Sequence, residues 1–406
     1  MVSNNVVITG VGVALPGAAD IDTFWAAVKA GRSAISPITN FDVEQFSTTR
    51  AGTVSGPIQD AVLEEIPRRL QKRMDRFSQL ALSATLSALR EAKVDVTSNP
   101  ERIGVYMANM FGGWDITEKS LRKLGSHGYT GVSPYIASAW FPTAPQGQIT
   151  IHQDLTGYSK TIIADTAGGA LALGYAAHAV SEGRADIMLA GAAEAPVTPY
   201  TYTFCSTSKR LSPSSTYLPG DHSADQFCIG EGAVFFSVER EEAATGRGAE
   251  PWAQLAGFAT AHVPEEEVFT DTGTAALSET ITAALSDAGL STVDVVTLDA
   301  QATHEADASE LSAIHKAVGP DVPVTTAKPI TGHLLGAAPG VDIANALLSL
   351  RHGVVAPVSG CENPIHPSVV THEAIKIPLH SAAIIARGSD GTLAVVVLRS
   401  IAATPK

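Results

Sequence analysis

The stretch TIIADTAGGALALGYA at 161–176 decides the fold. Its β-branched opening, TIIAD, reads as a buried strand. A single polar side chain, Thr166, then stands at the turn, and a helix of small residues begins at once. Strand, turn and helix without a spacer place Thr166 at a helix N-terminus, where free backbone N–H groups and the helix dipole favour negative charge. Two uses fit that position. In an enzyme it is where a nucleophile is presented; elsewhere the same threonine is an N-cap.

Outward from this unit the pattern repeats. VVIT at 6–9, IGVYMAN at 103–109, ADIMLAGA at 185–192 and AVFFSVER at 233–240 read as strands, and RLQKRMDRFSQLALSATLSALREA at 69–92 as one long amphipathic helix. After the loop-like GRGAEPW at 246–252 the alternation resumes, with strands near 253–261, 293–300 and 322–327 and helices at 276–288, from 307, and at 338–350. Two late strands, AAIIARG and LAVVVLR, close it. Such alternation predicts an α/β architecture with largely buried sheets. The halves 1–245 and 250–406 share their element order, which predicts an internal duplication. The first half carries an extra segment at about 110–155, rich in Gly, Ser, Pro and aromatics, too long for an ordinary connection and so a functional or interface segment.

Composition narrows the function. The chain has 406 residues, 45% hydrophobic and 17% charged, which is ample for a large core. The net charge of 27 − 41 = −14 argues against nucleic acid or an anionic membrane surface as partner. Cys205, Cys228 and Cys361 are odd in number and far apart, which argues against a disulfide framework and for a reducing compartment. No basic, apolar leader opens MVSNNVVITG, and no apolar run reaches the roughly 18–20 residues of a membrane helix, so a cytoplasmic protein is expected.

GVGVALPG at 10–17 has Leu15 where a dinucleotide-binding GxGxxG needs glycine. Phosphate-loop, HExxH and GxSxG motifs are missing from the sequence. KPITGHLLGAAPG at 328–340 sets His333 between glycines at a turn into a helix, where backbone can approach a ligand closely. LDAQATHEADASE at 298–310 carries Asp299, His304, Asp307 and Glu310, but with no second histidine at i+4 no metal is expected there.

With VVITGVGVALPG and GEGAVFFSVE at 230–239, these segments resemble the ketosynthases of the thiolase-like fold over nearly the full length. WDITEKSLRKL at 114–124, SAWFPTAPQGQITI at 138–151 and DTAGGALALG at 165–174 are most similar to the ketosynthase β subunit, or chain-length factor, of bacterial type II polyketide synthases. The resemblance implies duplicated βαβαβαββ halves in an α-β-α-β-α layering. It places the catalytic cysteine at Thr166 and the first catalytic histidine at Asp299, so both are degenerate; His333 and Lys328 are retained. A threonine without an adjacent base is a poor nucleophile, and an anionic Asp299 would repel an enolate. The implied function is therefore a non-catalytic subunit that pairs with a catalytic ketosynthase α subunit and sets chain length on acyl-carrier-protein-bound polyketides, aromatic or polyene. The alternative is a self-sufficient β-ketoacyl synthase or malonyl decarboxylase using Thr166 or His333. Trp114, Thr117 and Leu121, at i, i+3 and i+7 of a helix face, match the tunnel gate of chain-length factors. No cofactor is implied for this chain itself, because the phosphopantetheine arm belongs to the carrier protein.

Overall fold

The computed structural model describes residues 5–401; the first four residues, where the leader reading begins, lie outside that range. The elements used below are, in chain order, β1 (Val6–Ala14), α1 (Arg76–Ala92), β2 (Ile103–Ala108), α2 (Asp115–His127), β3 (Lys160–Ile162), α3 (Gly168–Ser181), β4 (Ile187–Glu194), α4 (Pro199–Thr207), β5 (Gly232–Arg240), β6 (Ala253–His262), α5 (Asp271–Asp287), β7 (Val295–Thr297), α6 (His304–Val318), β8 (Val324–Thr325), α7 (Ala338–His352), β9 (Ser381–Arg387) and β10 (Thr392–Arg399).

The halves repeat each other strand for strand. The first is ordered β1-β5-β4-β2-β3 and the second β6-β10-β9-β7-β8. In both, the last three strands run parallel and the first three pair antiparallel. Short antiparallel pairing of Val7 and Ile8 with Gln254 and Ala253 joins the two sheets at β1 and β6. Even the close approaches recur. A Cβ on Gly12 of β1 would lie 1.8 Å from the Ala84 carbonyl of α1, and one on Gly257 of β6 would lie 2.2 Å from the Ala284 carbonyl of α5. Only glycine lets each outer helix settle that close.

α3 and α7 form the middle layer. Each touches strands of both halves, while α1 covers the outer face of the first sheet and α5 that of the second, giving the α-β-α-β-α arrangement. A helix buried on every side has no use for a polar face. Accordingly Ala338 to Leu350 of α7 are all buried, and α3 is built from Gly, Ala and Leu with a Phe258 ring packed against Gly174.

Three expectations need correction. The strand read as 161–165 is only Lys160–Ile162, because Asp165 turns into the left-handed region at φ +41. The long helix read as 69–92 starts afresh at Arg76, where Asp75 takes an extended conformation (φ −66, ψ 158) and interrupts it. Thr166 stands one residue outside α3, whose N-cap is Ala167 with no side-chain cap, so the N-cap reading does not hold. The segment 110–155 folds into α2 and the short helices Ile136–Trp140 and Ala144–His152. Among the described residues no helix is long and apolar enough to cross a membrane.

Candidate functional site

The site lies where the turn before α3 meets the loop after β9. Thr166 is 1% exposed and its Oγ1 donates to the Arg387 carbonyl at 2.6 Å. A carbonyl cannot take up the proton, so the hydroxyl is held without a general base. Beside it, the strained Asp165 ties the halves together. Its Oδ2 accepts from the Ser389 backbone N–H at 2.5 Å and from the Ser389 hydroxyl, and its Oδ1 lies 3.3 Å from Arg210 Nη1.

Asp299 ends the turn that follows β7, and a buried arginine answers it. Asp299 Oδ1 accepts from the Arg387 backbone N–H at 3.0 Å, and Oδ2 lies 3.4 Å from Arg387 Nε and accepts from Gln301 Nε2 at 2.9 Å. The Arg387 guanidinium also donates through Nη2 to Glu310 Oε2 at 3.0 Å and to the Ala306 carbonyl at 3.1 Å. Glu310 Oε1 in turn accepts from the Asp299 N–H at 2.6 Å. Asp307, on the same helix, accepts from the Gly220 and Ala302 amides. Burial pushes the carboxyls of Asp307, to about 6, and of Glu310 upward, and the Arg387 charge opposes both shifts. At the position that the family resemblance assigns to the first histidine there is thus a carboxylate, Asp299, tied to a buried guanidinium.

His333 is completely buried and stacked on Phe227, ring centroids 4.3 Å apart. Its Nδ1 accepts from the Leu335 amide at 3.1 Å, which assigns the ring proton to Nε2. Nε2 has no partner, and burial, with Lys328 and Arg210 nearby, holds the imidazole pKa well below its usual value. The ring is neutral at physiological pH. Lys328 Nζ donates to the Leu298 and Asp299 carbonyls, both at 2.8 Å, and pairs with Asp342 at 2.7 Å, so it braces the Asp299 turn.

A cavity of about 670 Å³ adjoins these groups; Met110, Asp165, Arg210, Phe227, Gln301 and Ser389 are part of its wall, whereas Thr166 and His333 are not. The three gate candidates part company in burial. Thr117 is buried with its hydroxyl donating to the Gly113 carbonyl at 2.6 Å, and Trp114 is half-buried. Leu121 is 47% exposed, so a tunnel that it lines must be closed by something outside this chain. His304 caps nothing here and faces His222 at 6.0 Å; among the described residues no group of three or more His, Cys, Asp or Glu is arranged to hold a metal.

Sequence reading missed Arg387 and Asp165. The one signal for Arg387 was a cation at the end of the otherwise apolar run AAIIARG; its two carboxylate partners lie 88 and 77 residues away in sequence. An immediate expectation follows from the geometry. Incubation with malonyl- or acyl-loaded carrier protein should leave the intact mass of this chain unchanged. A mass increase that Thr166→Ala abolishes would show that Thr166 does form an acyl ester.

The family model described as "Beta-ketoacyl synthase, N-terminal domain" matches residues 3–244, and that of the C-terminal domain matches residues 252–362. The chain belongs to the β-ketoacyl synthase family. Within that family its relatives include ketosynthases of type II polyketide synthases. It is 35% identical to "Actinorhodin polyketide putative beta-ketoacyl synthase 2" of Streptomyces coelicolor, over 99% of this chain and 100% of that one. Identity is 32% to the "Tetracenomycin polyketide synthase ketoacyl synthase beta subunit" of Streptomyces glaucescens, over 97% and 98%. A 3-oxoacyl-[acyl-carrier-protein] synthase 2 of Staphylococcus aureus is 31% identical over 99% of both chains. Among solved structures, a ketosynthase complexed with a type II polyketide synthase acyl-carrier protein superposes with TM-score 0.86 at 25% identity, covering 98% of this β-ketoacyl synthase-family chain and 99% of the other. The ishigamide ketosynthase/chain length factor superposes with TM-score 0.88 over 98% and 99%, at 24% identity, which supports the thiolase-like fold.

Proposed function

We propose that this chain is the non-catalytic, chain-length-determining partner of a catalytic ketosynthase in a type II polyketide synthase, acting in the cytoplasm on carrier-protein-bound chains extended with malonyl units. The observation that carries the reading is the filled catalytic corner: Thr166 bonded to a carbonyl, and Asp299 locked to Arg387. A self-sufficient synthase would need a base beside Thr166 and a histidine at 299, and the corner offers neither.

Two further features support a heterodimer. β3 is the terminal strand of its sheet, and no strand pairs with its outer edge among the described residues. Leu121, Leu124, Trp140, Phe141, Ile151 and Ile163 also expose apolar surface, most of it from the extra segment. An unpaired strand edge is a template for pairing with another chain, and obligate interfaces are apolar and bury about 2,000 Å² or more. The relative named as a polyketide synthase β subunit agrees with this role.

Co-expression with a catalytic ketosynthase and carrier protein tests it. A one-to-one complex should form by native mass measurement, and chain elongation should require both subunits. In assembled complexes, Trp114→Ala or Leu121→Ala should shift products to longer chains, since removing an aromatic opens on the order of 100 Å³; bulkier residues at 117 should shorten them. Product length should change more than rate. Unchanged length with only lower yield would make the helix a packing stripe. A chain that stays monomeric beside its ketosynthase would end the heterodimer reading.

A further inference from the structure

Thr117 and Leu121 lie on α2 and Trp114 is its N-cap residue, so whatever fixes the start of α2 fixes the gate candidates. Asp75 is the N-cap residue of α1, a position at which an aspartate ordinarily accepts an amide from its own first turn. Here its side chain makes no such cap. Asp75 Oδ2 instead crosses to α2 and accepts the Ile116 amide at 2.8 Å, one of the free N–H groups of that helix's first turn. The approach is close because Gly113 has no side chain: a Cβ there would lie 2.8 Å from Asp75 Cγ. Gly113 is also the residue whose carbonyl accepts the Thr117 hydroxyl. One buried carboxyl therefore clamps the turn that carries Trp114 and Thr117.

We propose that Asp75 is a positioning residue for chain-length selection: it holds the first turn of α2, and with it Trp114 and Thr117, from outside the tunnel. The idea rests on the gate reading above. Asp75 is fully buried, and its Oδ1 has no hydrogen-bond partner. The groups facing it are Asp115 on α2, its neighbour Arg76, and Glu231, which pairs with Arg76 at 2.6 Å. Burial, with Asp115 adding to it, raises the Asp75 carboxyl to about 7, so the oxygen that accepts from Ile116 serves in a neutral acid as well as in an anion. A neutral amide should replace it.

The test compares Asp75→Ser, Asp75→Asn and Trp114→Ala in the full complex with the catalytic subunit. Serine is itself favourable at the N-cap position of α1 but is too short to reach Ile116, so the cross-helix bond is lost without weakening the start of α1. Amide exchange over residues 115–118 should quicken roughly tenfold in Asp75→Ser, the effect of one lost hydrogen bond. Longer products should rise several-fold, while Asp75→Asn keeps the wild-type exchange and product length. Unchanged exchange in the serine variant, measured on the isolated chain as well, overturns the clamp. Faster exchange with unchanged products, where Trp114→Ala does lengthen them, overturns the role of Asp75 alone. If neither variant changes product length, the gate reading itself fails and takes this one with it.

Discussion

Arg387→Met should destabilise the chain by about 3–5 kcal/mol, the usual consequence of removing one partner from a buried ion pair. The guanidinium is 0% exposed and holds Asp299, on the turn after β7, and Glu310, on α6, both buried. Without it, two carboxyl groups share a site that water does not reach. The Glu310 carboxyl, already raised by burial, loses the charge that opposes that rise, so the loss should be greater at pH 8 than at pH 6, where protonation relieves the repulsion. Urea unfolding of the single variant and of Arg387→Met/Asp299→Asn/Glu310→Gln would measure this. The triple variant should recover most of the loss, because a neutral site of the same shape replaces a charged one. A single variant within about 1 kcal/mol of the parent would mean that the network carries little stability.

The second large effect is a fall in stability with rising pH, centred on Glu194. This residue ends β4, is fully buried, and accepts the Met110 amide through Oε1 while Oε2 has no hydrogen-bond partner. Burial pushes its carboxyl up to about 8. The unfolded chain releases that proton near pH 4.3. Between those values the folded state binds more protons, so the stabilisation is complete below about pH 4 and is lost as pH rises through 8. The loss between pH 5 and pH 9 should be on the order of 4 kcal/mol. Asp75 and Asp307, at about 7 and 6, act with the same sign over lower ranges. Glu194→Gln keeps an acceptor for Met110 and removes the titration, so its profile should be the flatter one. Parallel profiles for parent and variant from pH 5 to 9 would contradict this account.

What the sequence made legible follows from burial. Segments sandwiched on both faces are mostly apolar or small, and α3, α7 and the paired β9 and β10 stand out for that reason, polar exceptions such as Asp342 and Arg387 being paired. The layered thiolase-like fold and its duplication were readable from them. Thr166 and His333 drew notice because each sits at a turn before a helix, whereas the roles of Asp299 and Lys328 came only through the family resemblance. Their partners were not found. The Thr166–Arg387 bond spans 221 residues and the Asp75–Ile116 bond 41, and no local periodicity encodes either. Nor does a sequence show that Asp165 turns left-handed and so ends its strand early.

The outer edge of β3 bears on supply as much as on chemistry. A strand of unpaired N–H and C=O groups bordered by Ile163, 59% exposed, is a template for any other extended chain, a second copy of this one included. Copies made in excess of whatever covers that edge would meet one another first, and proteases soon after. If the proposed heterodimer covers that edge, the amount of this chain that stays unaggregated should follow the amount of its partner.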